Sequence, residues 1–350
     1  MAPTTLAPLT TLRLGGPADR ILTLCDPADW ADTVRAVDQH DEPAPAVLGG
    51  GSNVIASDAG HRGTVLVMNT RGITAEHVDE NTVAVTVQAG HPLTDLVAWA
   101  ATEHLAGIEC LAGIPGTTGA APVQNAGAYG QQIAEALHHV TAWDWQHRRL
   151  RTLPAQACRF RYRHSIFKSH PGRWTILTAT FHLTRAEKST PLAYQQLADE
   201  LDLPLGYRAP VPEVITGVLA NRHRRGLLLD PHGPEARQVG SIFLNPPVTV
   251  VQAADLSAVG CPVHTSSDGR LRASAGWLME QAGYGPGQWR ADGIKCSRHR
   301  ALTLTVHDGA TATSFRDVLH RLARKVQGTC GIALILEPVP VGAWPTGAET

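Results

Sequence analysis

The chain has 350 residues, with 30 basic and 31 acidic side chains and a formal net charge of −1 at pH 7. This balance argues against a nucleic-acid partner and against attraction to an anionic membrane surface. Charged residues make up only 17% of the chain, beside 33 Gly and 24 Pro, which is typical of a loop-rich α/β enzyme. The length favours two or three domains over a single core.

Cysteine usage and hydropathy indicate the compartment. The six cysteines are far apart and show no Cys-x-x-Cys pair or zinc-ligand spacing, so we expect reduced thiols and no metal site. Residues 1–16 lack a basic segment followed by an unbroken apolar run, so no signal peptide is predicted. No apolar run approaches the ~18 residues that span a bilayer. These features predict a cytoplasmic protein that does not insert into a membrane.

Short strands dominate the first half of the predicted chain. Apolar runs or alternation predict strands at 46–48, 64–69, 82–88, 140–145 and 176–183. Apolar residues recur at helical spacing from Leu93 to Ala100, and Pro92 suits the first turn of that helix. This mixture predicts an α+β domain.

Two glycine-rich stretches are the main candidates for ligand contact. Residues 49–53, GGGSN, follow a predicted strand and offer backbone N–H groups to an anion. Val54 stands where a dinucleotide fingerprint needs its third glycine, so a phosphate loop and a tight turn both remain open. Residues 113–130 begin with glycine at every third position and continue with amides and a tyrosine. That composition favours close approach of a ligand over a glycine-rich core crossover.

The middle of the chain contains one basic and aromatic segment and one change of composition. Residues 158–168, CRFRYRHSIFK, could stack single-stranded nucleic acid, but the balanced net charge favours an anion-binding edge of an active site. Residues 187–205, around Tyr194, are predicted to be a boundary loop. A helix is predicted from Pro212 to Asn221, and the basic run that ends it suits the helix dipole.

The C-terminal part alternates short strands and helices. The predicted elements are a strand-to-turn segment at 240–246, a helix at 274–282, a strand at 301–306, a helix that starts with a capping-box pattern at Ser314 and Asp317 and runs to Val326, and a strand at 332–336. Glu337 ends the last strand, where a carboxylate should lie at a domain edge or be paired. From the residues alone, a turn hydroxyl for Ser241 and a surface ion pair for Arg163 are the favoured interpretations.

Five motifs in order resemble the UDP-N-acetylenolpyruvoylglucosamine reductase family, also called UDP-N-acetylmuramate dehydrogenase. The resemblance runs from Arg13 to Pro338, and its motifs are LGGGSNVI at 48–55, the stretch 113–130, YRxSIFK at 162–168, GSxFxNP at 240–246 and AGWL at 275–278. It implies an α+β fold, with a two-lobed FAD-binding domain of the vanillyl-alcohol-oxidase (PCMH) type and a C-terminal α/β substrate-binding domain. The implied boundaries are 1–70 for lobe 1, 71–205 for lobe 2 and 206–350 for the substrate domain.

The resemblance also implies a reaction and its residues. NADPH would reduce non-covalently bound FAD, and hydride would then reach C3 of the enolpyruvyl UDP-sugar before protonation at C2. The implied catalytic residues are Arg163, Ser241 as proton donor, and Glu337. The implied FAD contacts are Gly49, Gly50, Gly51, Ser52, Asn53, Gly113, Ile114, Pro115, Gly116, Thr117, Gly119 and Ala120. The implied substrate contacts are Gln124, Asn125, Tyr129, Tyr194, Arg225, Asn245 and Arg300.

Some residues depart from the family pattern, and two other functions compete. The departures, which bear on substrate affinity, are Thr10, His164, Ile242, Leu244 and Arg300. One competing function is an oxidase of the same fold with flavin attached covalently to a histidine such as His61. The other is a catalytically idle paralogue that binds flavin. We expect a monomer that binds a UDP-sugar.

Overall fold

The structure is a computed structural model that describes residues 5–38 and 44–344. Residues 1–4, which begin the segment predicted to lack a signal peptide, lie outside the described residues. Two compact units are present: the terminal unit is Met1–Asp19, Gly51–Arg62 and Leu229–Thr350, and the central unit is Arg20–Gly50 and Gly63–Leu228. The three functional segments expected from the sequence stay a prediction.

The strands are short, and most sequence-predicted strands are present. In chain order the described residues form β1 Ala18–Leu24, β2 Ala46–Leu48, β3 Val54–Ala56, β4 His61–Met68, β5 Ile73–His77, β6 Thr82–Gln88, β7 Leu105–Ala106, β8 Gly127–Ala128, β9 Gln131–Gln132, β10 Leu137–Asp144, β11 Arg149–Pro154, β12 Trp174–Arg185, β13 Phe243–Leu244, β14 Val263–Thr265, β15 Leu271–Ala273, β16 Trp289–Ala291, β17 Ile294–Cys296, β18 Leu304–Val306, β19 Ile335–Leu336 and β20 Val339–Val341.

The helices lie between these strands in both units. Within the described residues they are α1 Trp30–Asp38, α2 Leu93–Thr102, α3 Ile133–Ala136, α4 Ile166–Ser169, α5 Gln195–Leu201, α6 Val211–Arg224, α7 Val250–Ala258, α8 Ala275–Gln281 and α9 Ala312–Cys330. The mixture of helices with mostly antiparallel strands confirms the α+β class.

The central unit is built on an antiparallel sheet. Its strand order is β11-β10-β12-β6-β5, and β7 pairs with the end of β12. In β6 the valines Val83, Val85 and Val87 are buried and alternate with half-buried residues, as a strand with one core face requires. Leu93 and Leu96 of α2 belong to the same hydrophobic core. Each fully buried side chain of this size contributes about 1.5–3 kcal/mol to stability.

A smaller three-stranded sheet, β1-β4-β2, adds Leu24 and Leu66 to that core. The pairing of β2 with β4 is parallel, so Leu48 ends its strand beside Val67 and the chain then enters the first glycine-rich stretch. The predicted strand at 46–48 is therefore confirmed, and its end fixes where Gly49 begins.

The terminal unit has its own hydrophobic core beneath α8 and α9. Its strands form four small sheets, which are β16-β17-β18, β14-β15, β13-β19 and the parallel pair β3-β20. The helix predicted at 274–282 is α8, which Ser274 caps by accepting a hydrogen bond from the Trp277 N–H. Leu278 and Met279 of α8 and Phe315 of α9 are fully buried in this core.

The predicted start of the long C-terminal helix is wrong by one turn. Thr311, and not Ser314, is the N-cap of α9, and Ser314 is the third residue of a capping box with it. The carboxylate of Asp58 accepts hydrogen bonds from the Ala312 and Thr313 N–H groups at 2.9 and 2.7 Å. A carboxylate at a helix N-terminus satisfies free N–H groups and stabilises the helix dipole.

The predicted boundary loop at 187–205 is also wrong in part, because it contains α5. Leu197 and Ala198 of α5 are buried in the core of the central unit, which explains why this polar segment is helical. Tyr194 is the N-cap residue of that helix. Among the described residues, no helix combines the length and the apolar character that crossing a membrane requires.

Candidate active-site residues

In the central unit, two glycine-rich segments pack closely against each other. A Cβ on Gly49 would lie 2.2 Å from Oγ1 of Thr117, and a Cβ on Gly50 would lie 3.0 Å from Cα of Gly116. Oγ1 of Thr117 is itself buried without a hydrogen-bond partner among the described residues. Backbone that only glycine allows, beside an unsatisfied buried hydroxyl, fits a bound nucleotide cofactor.

The remaining predicted cofactor contacts fall into both units. Gly113, Ile114, Pro115, Gly119 and Ala120 lie in the same connection of the central unit as Thr117, and the Leu93 N–H at the start of α2 donates to the Gly116 carbonyl at 3.1 Å.

The end of the first glycine-rich stretch belongs to the terminal unit. Gly51, Ser52 and Asn53 lie there, where the Asn53 carbonyl accepts a hydrogen bond from the Val339 N–H at 2.9 Å and the Gly51 carbonyl accepts one from the Thr11 N–H at 3.1 Å. This stretch thus spans a unit boundary, and its role as an FAD contact stays a prediction.

Arg163 is held by backbone carbonyls of the second glycine-rich stretch. Its Nη1 donates to the Asn125 carbonyl at 3.2 Å, and its Nη2 donates to the Gly127 carbonyl at 2.5 Å. Its own backbone is left-handed, with φ of 51°. The guanidinium is half-buried and keeps a fixed direction. The structure therefore brings Arg163 to the stretch that the sequence identified as a ligand contact.

The Asn125 side chain forms several hydrogen bonds around the backbone that holds Arg163. Its Nδ2 donates to Oε1 of Gln132 at 2.9 Å and to the Arg161 carbonyl at 3.1 Å, and its Oδ1 accepts from the Ala134 N–H at 3.0 Å. The side chain is 1% exposed. These bonds fix the peptide whose carbonyl holds Arg163, so Asn125 has a clear structural role. Gln124, the preceding residue, is half-buried at the end of a 3₁₀ turn, and the substrate contact predicted for each stays a prediction.

Tyr129 contacts Asn221 and another predicted substrate contact, Tyr194, in the central unit. Its hydroxyl donates to Oδ1 of Asn221 at 3.0 Å, and its ring meets Tyr194 edge to face at a centroid distance of 5.9 Å. Burial raises the pKa of the Tyr129 phenol, and the nearby cations Arg222 and Arg225 oppose that shift. The phenol therefore stays neutral and can donate a hydrogen bond at neutral pH.

Arg222 is the functional candidate that the sequence reasoning missed. The basic run at the end of α6 is explained by the helix dipole, yet Arg222 is only 8% exposed. Its Nη2 donates to the Leu227 carbonyl at 3.0 Å, and Nε has no partner among the described residues. Burial lowers the pKa of this guanidinium to about 10. Its place four residues after Val218 and eight after Val214, on the apolar side of α6, could have suggested that it faces the protein.

Ser241 is presented by the segment before β13 in the terminal unit. Gly240 has φ of 73°, a left-handed conformation that turns the chain immediately before the serine. The Arg300 guanidinium donates from Nη2 to Oγ of Ser241 at 2.6 Å. Arg300, predicted as a substrate contact, is thus a direct partner of the predicted proton donor.

Glu337 follows the strand that pairs with β13. Leu336 lies opposite Phe243, and the Glu337 N–H donates to the Ile242 carbonyl at 3.1 Å, so Glu337 and Ser241 flank the same small ladder. Glu337 is half-buried, as expected for a carboxylate at the end of an apolar strand. Asn245 follows β13, and its Oδ1 accepts from the Ala275 N–H at 3.0 Å at the start of α8.

Three of the departures from the family pattern are core residues. Ile242 and Leu244 are 0% and 8% exposed, and the buried Thr10 hydroxyl donates to the Leu14 carbonyl at 3.1 Å. His164 contacts Ser169 through Nε2 at 3.0 Å. Packing and local hydrogen bonds account for these four residues, and their effect on substrate affinity stays a prediction.

Comparisons with known proteins agree with this geometry. Residues 18–151 match the family model described as FAD binding domain, and residues 232–341 match UDP-N-acetylenolpyruvoylglucosamine reductase, C-terminal domain. The chain is 38% identical over 346 residues to UDP-N-acetylenolpyruvoylglucosamine reductase of Thermobifida fusca, with 96% of each chain covered. It belongs to the UDP-N-acetylenolpyruvoylglucosamine reductase family. Membership makes it an FAD-dependent oxidoreductase, as predicted.

A second relative supports the family assignment, and a solved structure supports the fold. The enzyme of the same name from Salinispora arenicola is 39% identical over 348 residues, with 96% of this chain and 94% of that one covered. The crystal structure of UDP-N-acetylenolpyruvylglucosamine reductase from Thermus caldophilus aligns over 97% of both chains with a TM-score of 0.64 and 22% identity. The predicted fold class, an α+β fold with an FAD-binding domain of the vanillyl-alcohol-oxidase (PCMH) type and a C-terminal α/β substrate-binding domain, is confirmed.

Proposed function

We propose that this chain reduces UDP-N-acetylenolpyruvoylglucosamine to UDP-N-acetylmuramate, an intermediate of peptidoglycan synthesis. Similarity over 96% of the chain to reductases of that name supports this reaction. The observation that carries the proposal is the Ser241 hydroxyl, which is held at 2.6 Å by Arg300 beside the strand pair that leads to Glu337. A positioned hydroxyl with an adjacent cation can deliver a proton to a strongly basic carbon.

The chemistry divides into hydride transfer and protonation. Bound FAD would accept hydride from NADPH and supply it to C3 of the enolpyruvyl group. Charge then develops at C2 and on the substrate carboxylate, and the fixed cation of Arg163 suits the stabilisation of such charge. Ser241 donates its proton to C2, and Glu337 is the third catalytic residue in this proposal.

Substrate recognition is assigned to residues away from the reacting carbons. Arg225 and Asn245 would bind the phosphates, and Tyr194 would cover the uridine. In the central unit, Arg225 Nη1 donates to Oε1 of Gln196 at 3.4 Å, a long contact that a phosphate oxygen can replace. Gln124, Asn125, Tyr129 and Arg300 complete the proposed substrate contacts. Gly49–Asn53, Gly113–Thr117, Gly119 and Ala120 are the proposed FAD contacts.

The two half-reactions provide the test. In Ser241→Ala, reduction of FAD by NADPH should stay close to the wild-type rate, because that half requires no proton at C2. Reoxidation by the enolpyruvyl substrate should slow by at least ~10²-fold, the lower range for a lost proton donor. Stopped-flow absorbance of the flavin measures each half separately. Equal slowing of both halves, or of neither, would show that Ser241 is not the proton donor.

Two further assays separate this function from its competitors. Acid precipitation should leave the flavin in the supernatant, whereas a yellow pellet would support a covalent flavin oxidase. Substrate-dependent oxidation of NADPH should be observed, and its absence from the FAD-loaded wild-type protein would favour an idle paralogue. A cytoplasmic location and a monomeric state are part of the same proposal, and light scattering of the purified chain tests the second.

A further inference from the structure

Arg300 is fixed by its backbone before its side chain reaches Ser241. It lies in the turn between β17 and β18, where the Ser297 N–H donates to the Thr303 carbonyl at 2.8 Å. Glu235 accepts from the buried Ser297 hydroxyl at 2.7 Å and from the Arg298 N–H at 2.8 Å. This carboxylate ties the turn from one side and leaves little freedom for the Arg300 backbone.

The partner strand is fixed as well. Ser241 forms a β-bridge with Thr303, and the Ile242 N–H donates to the Leu302 carbonyl at 3.0 Å. The contact of 2.6 Å between Arg300 and Ser241 therefore joins two segments that are already hydrogen-bonded to each other. Exposed ion pairs contribute little to stability because two mobile side chains must be held in one geometry. The contact between Arg300 and Ser241 does not have that cost, because both segments are already fixed.

The chemistry of the two groups decides the direction of this hydrogen bond. A guanidinium has only donors, so Oγ of Ser241 must accept, and its own hydrogen must point away from Arg300. A carboxamide at position 300 could instead accept a hydrogen bond from the Ser241 hydroxyl, and the hydroxyl proton would then point toward that carboxamide and not toward the substrate. We propose that Arg300 is a positioning residue that leaves the Ser241 proton free for transfer and stabilises the charge that the transfer creates. This inference rests on the proposed function.

The proton transfer involves only the substrate and the Ser241 hydroxyl. The electron pair on C2 of the substrate forms the new C–H bond with the hydroxyl proton of Ser241. The Oγ–H bond breaks, and its electron pair stays on Oγ as an alkoxide next to the Arg300 cation, until water returns a proton. A cation aimed at charge that appears only during the reaction lowers the barrier more than it strengthens substrate binding.

An introduced thiol at position 241 tests this electrostatic effect without any turnover. Ser241→Cys is prepared in the FAD-loaded full chain together with Cys25→Ser, which removes the exposed native thiol. Alkylation of position 241 as a function of pH, followed by mass spectrometry of its peptide, yields the thiol pKa. With Arg300 present this pKa should be at least about 1 unit lower than in the Arg300→Gln background, because a cation favours the thiolate.

The controls isolate Arg300 in that comparison. Arg298→Gln removes the same charge from the same turn, but the Arg298 side chain is exposed and contacts His299. It should leave the pKa at position 241 unchanged. Glu337, Glu235, Arg237 and His299 are further charged or titratable residues on the neighbouring described segments, and they are identical in every variant. Equal thiol pKa values with and without Arg300 would overturn the inference.

Kinetics in the native serine background provide the second measurement. Arg300→Gln should slow reoxidation of the flavin by substrate about 10²-fold, near the lower end for losing one aimed donor, and should leave reduction by NADPH unchanged. Arg300→Lys, which keeps the charge, should recover part of that loss. A rise in KM for substrate without a change in the rate of reoxidation would assign Arg300 to binding alone. If the thiol pKa of Ser241→Cys depends on Arg300 but the wild-type protein does not reduce the substrate, the proposed function is overturned and the effect of Arg300 on position 241 is not.

Discussion

Arg163 and Ser241 are held in different ways, each within its own unit. In the central unit, two backbone carbonyls, those of Asn125 and Gly127, accept hydrogen bonds from the Arg163 guanidinium. In the terminal unit, the described residues show a side-chain partner for the Ser241 hydroxyl instead, the guanidinium of Arg300. Carbonyls are present whatever the side chain, so the position of Arg163 depends on the path of the backbone. The state of Ser241 depends on one replaceable residue.

The difference shows where sequence variation has its effect. Around Arg163, a substitution acts by moving the backbone, as the left-handed Asn125 with φ of 47° and its three side-chain hydrogen bonds illustrate. Around Ser241, a substitution at position 300 changes the chemistry directly and leaves the backbone intact. A change of residue at 300 is therefore expected to tune the rate of one half-reaction, whereas changes at 125 should affect folding as well.

Removal of the guanidinium itself should give the largest effect. In Arg163→Met, reoxidation of the flavin by substrate should slow by about 10²–10³-fold, because an aimed cation is lost where charge develops. Reduction by NADPH should be much less affected. Stopped-flow absorbance measures both, and Arg161→Met, an exposed neighbour, is the matched control. A variant that reoxidises at the wild-type rate would remove Arg163 from the chemistry.

In the central unit, the segment before Tyr194 is held by hydrogen bonds to the side chain of Glu109. Buried Glu109 accepts from the Gly107 N–H at 2.6 Å and from the N–H and hydroxyl of Thr190 at 2.7 and 2.9 Å. Glu109→Gln leaves one of these half-buried donors without an acceptor, which should cost about 1–3 kcal/mol of stability. Thermal unfolding should show a lower melting temperature than in Glu103→Gln, an exposed control. Equal melting temperatures would mean that the hydrogen bonds of Glu109 do not contribute to the stability of the protein.

Arg225 should affect binding more than chemistry. Arg225→Ala should raise KM for both NADPH and the sugar nucleotide by about tenfold, the lower range for a lost charge-assisted hydrogen bond, with a smaller effect on kcat. Contacts to phosphates far from the reacting carbons act equally on the ground state and the transition state. Arg224→Ala is the control, because Arg224 is exposed and pairs with Glu200. Unchanged KM values for both ligands would exclude Arg225 from the site.

A histidine cluster on the central sheet should give the smallest effect. His138 stacks on His182 at 3.9 Å and contacts Nδ1 of His139 at 2.8 Å. Burial, and then the charge of His138, lower the pKa of His139 and of His182, and Asp79 opposes the shift at His182. The unfolded chain therefore binds more protons below about pH 6.5, so stability is full above that pH and falls as pH decreases.

The pH dependence of the melting temperature tests this sign. Between pH 7 and pH 5.5, His182→Gln should lose less stability than the wild type, by no more than about 2 °C because these side chains are only partly buried. His223→Gln, an exposed histidine of the same unit, should behave like the wild type. A larger loss in His182→Gln than in the wild type would reverse the sign and contradict the account.

Local signals predicted much of this fold. The helix at 274–282 was readable because its cap, Ser274, adjoins the apolar pattern, and β6 was readable from strict alternation. The start of α9 could not be predicted in the same way. Asp58, which accepts hydrogen bonds from its N-terminus, lies 254 residues earlier in the sequence. The helix α5 was missed because a short polar segment becomes helical only through packing of Leu197 and Ala198.

The candidate site was predictable as a set of residues and not as a set of contacts. Motif order identified Arg163 and Ser241, but the contact of Arg300 with Ser241 depends on how the turn between β17 and β18 aligns with the segment before β13. Burial of Arg222 could have been inferred from the helical spacing of Val214 and Val218, but its contact with the Leu227 carbonyl could not. Contacts between separate segments are set by the whole core, so no local pattern specifies them.

The parallel pair β3-β20 and the Asp58 cap give the terminal unit a particular order of assembly. Both features join residues 54–58 to the C-terminal part of the same unit. During synthesis at about 5–20 residues per second, Asp58 leaves the ribosome roughly 13–50 s before the helix that it caps. During that time, and until β20 has also been made, β3 is without its partner strand. The early polypeptide therefore depends on a part of the chain that is made much later, and a protein truncated before β20 would leave the edge of β3 unpaired.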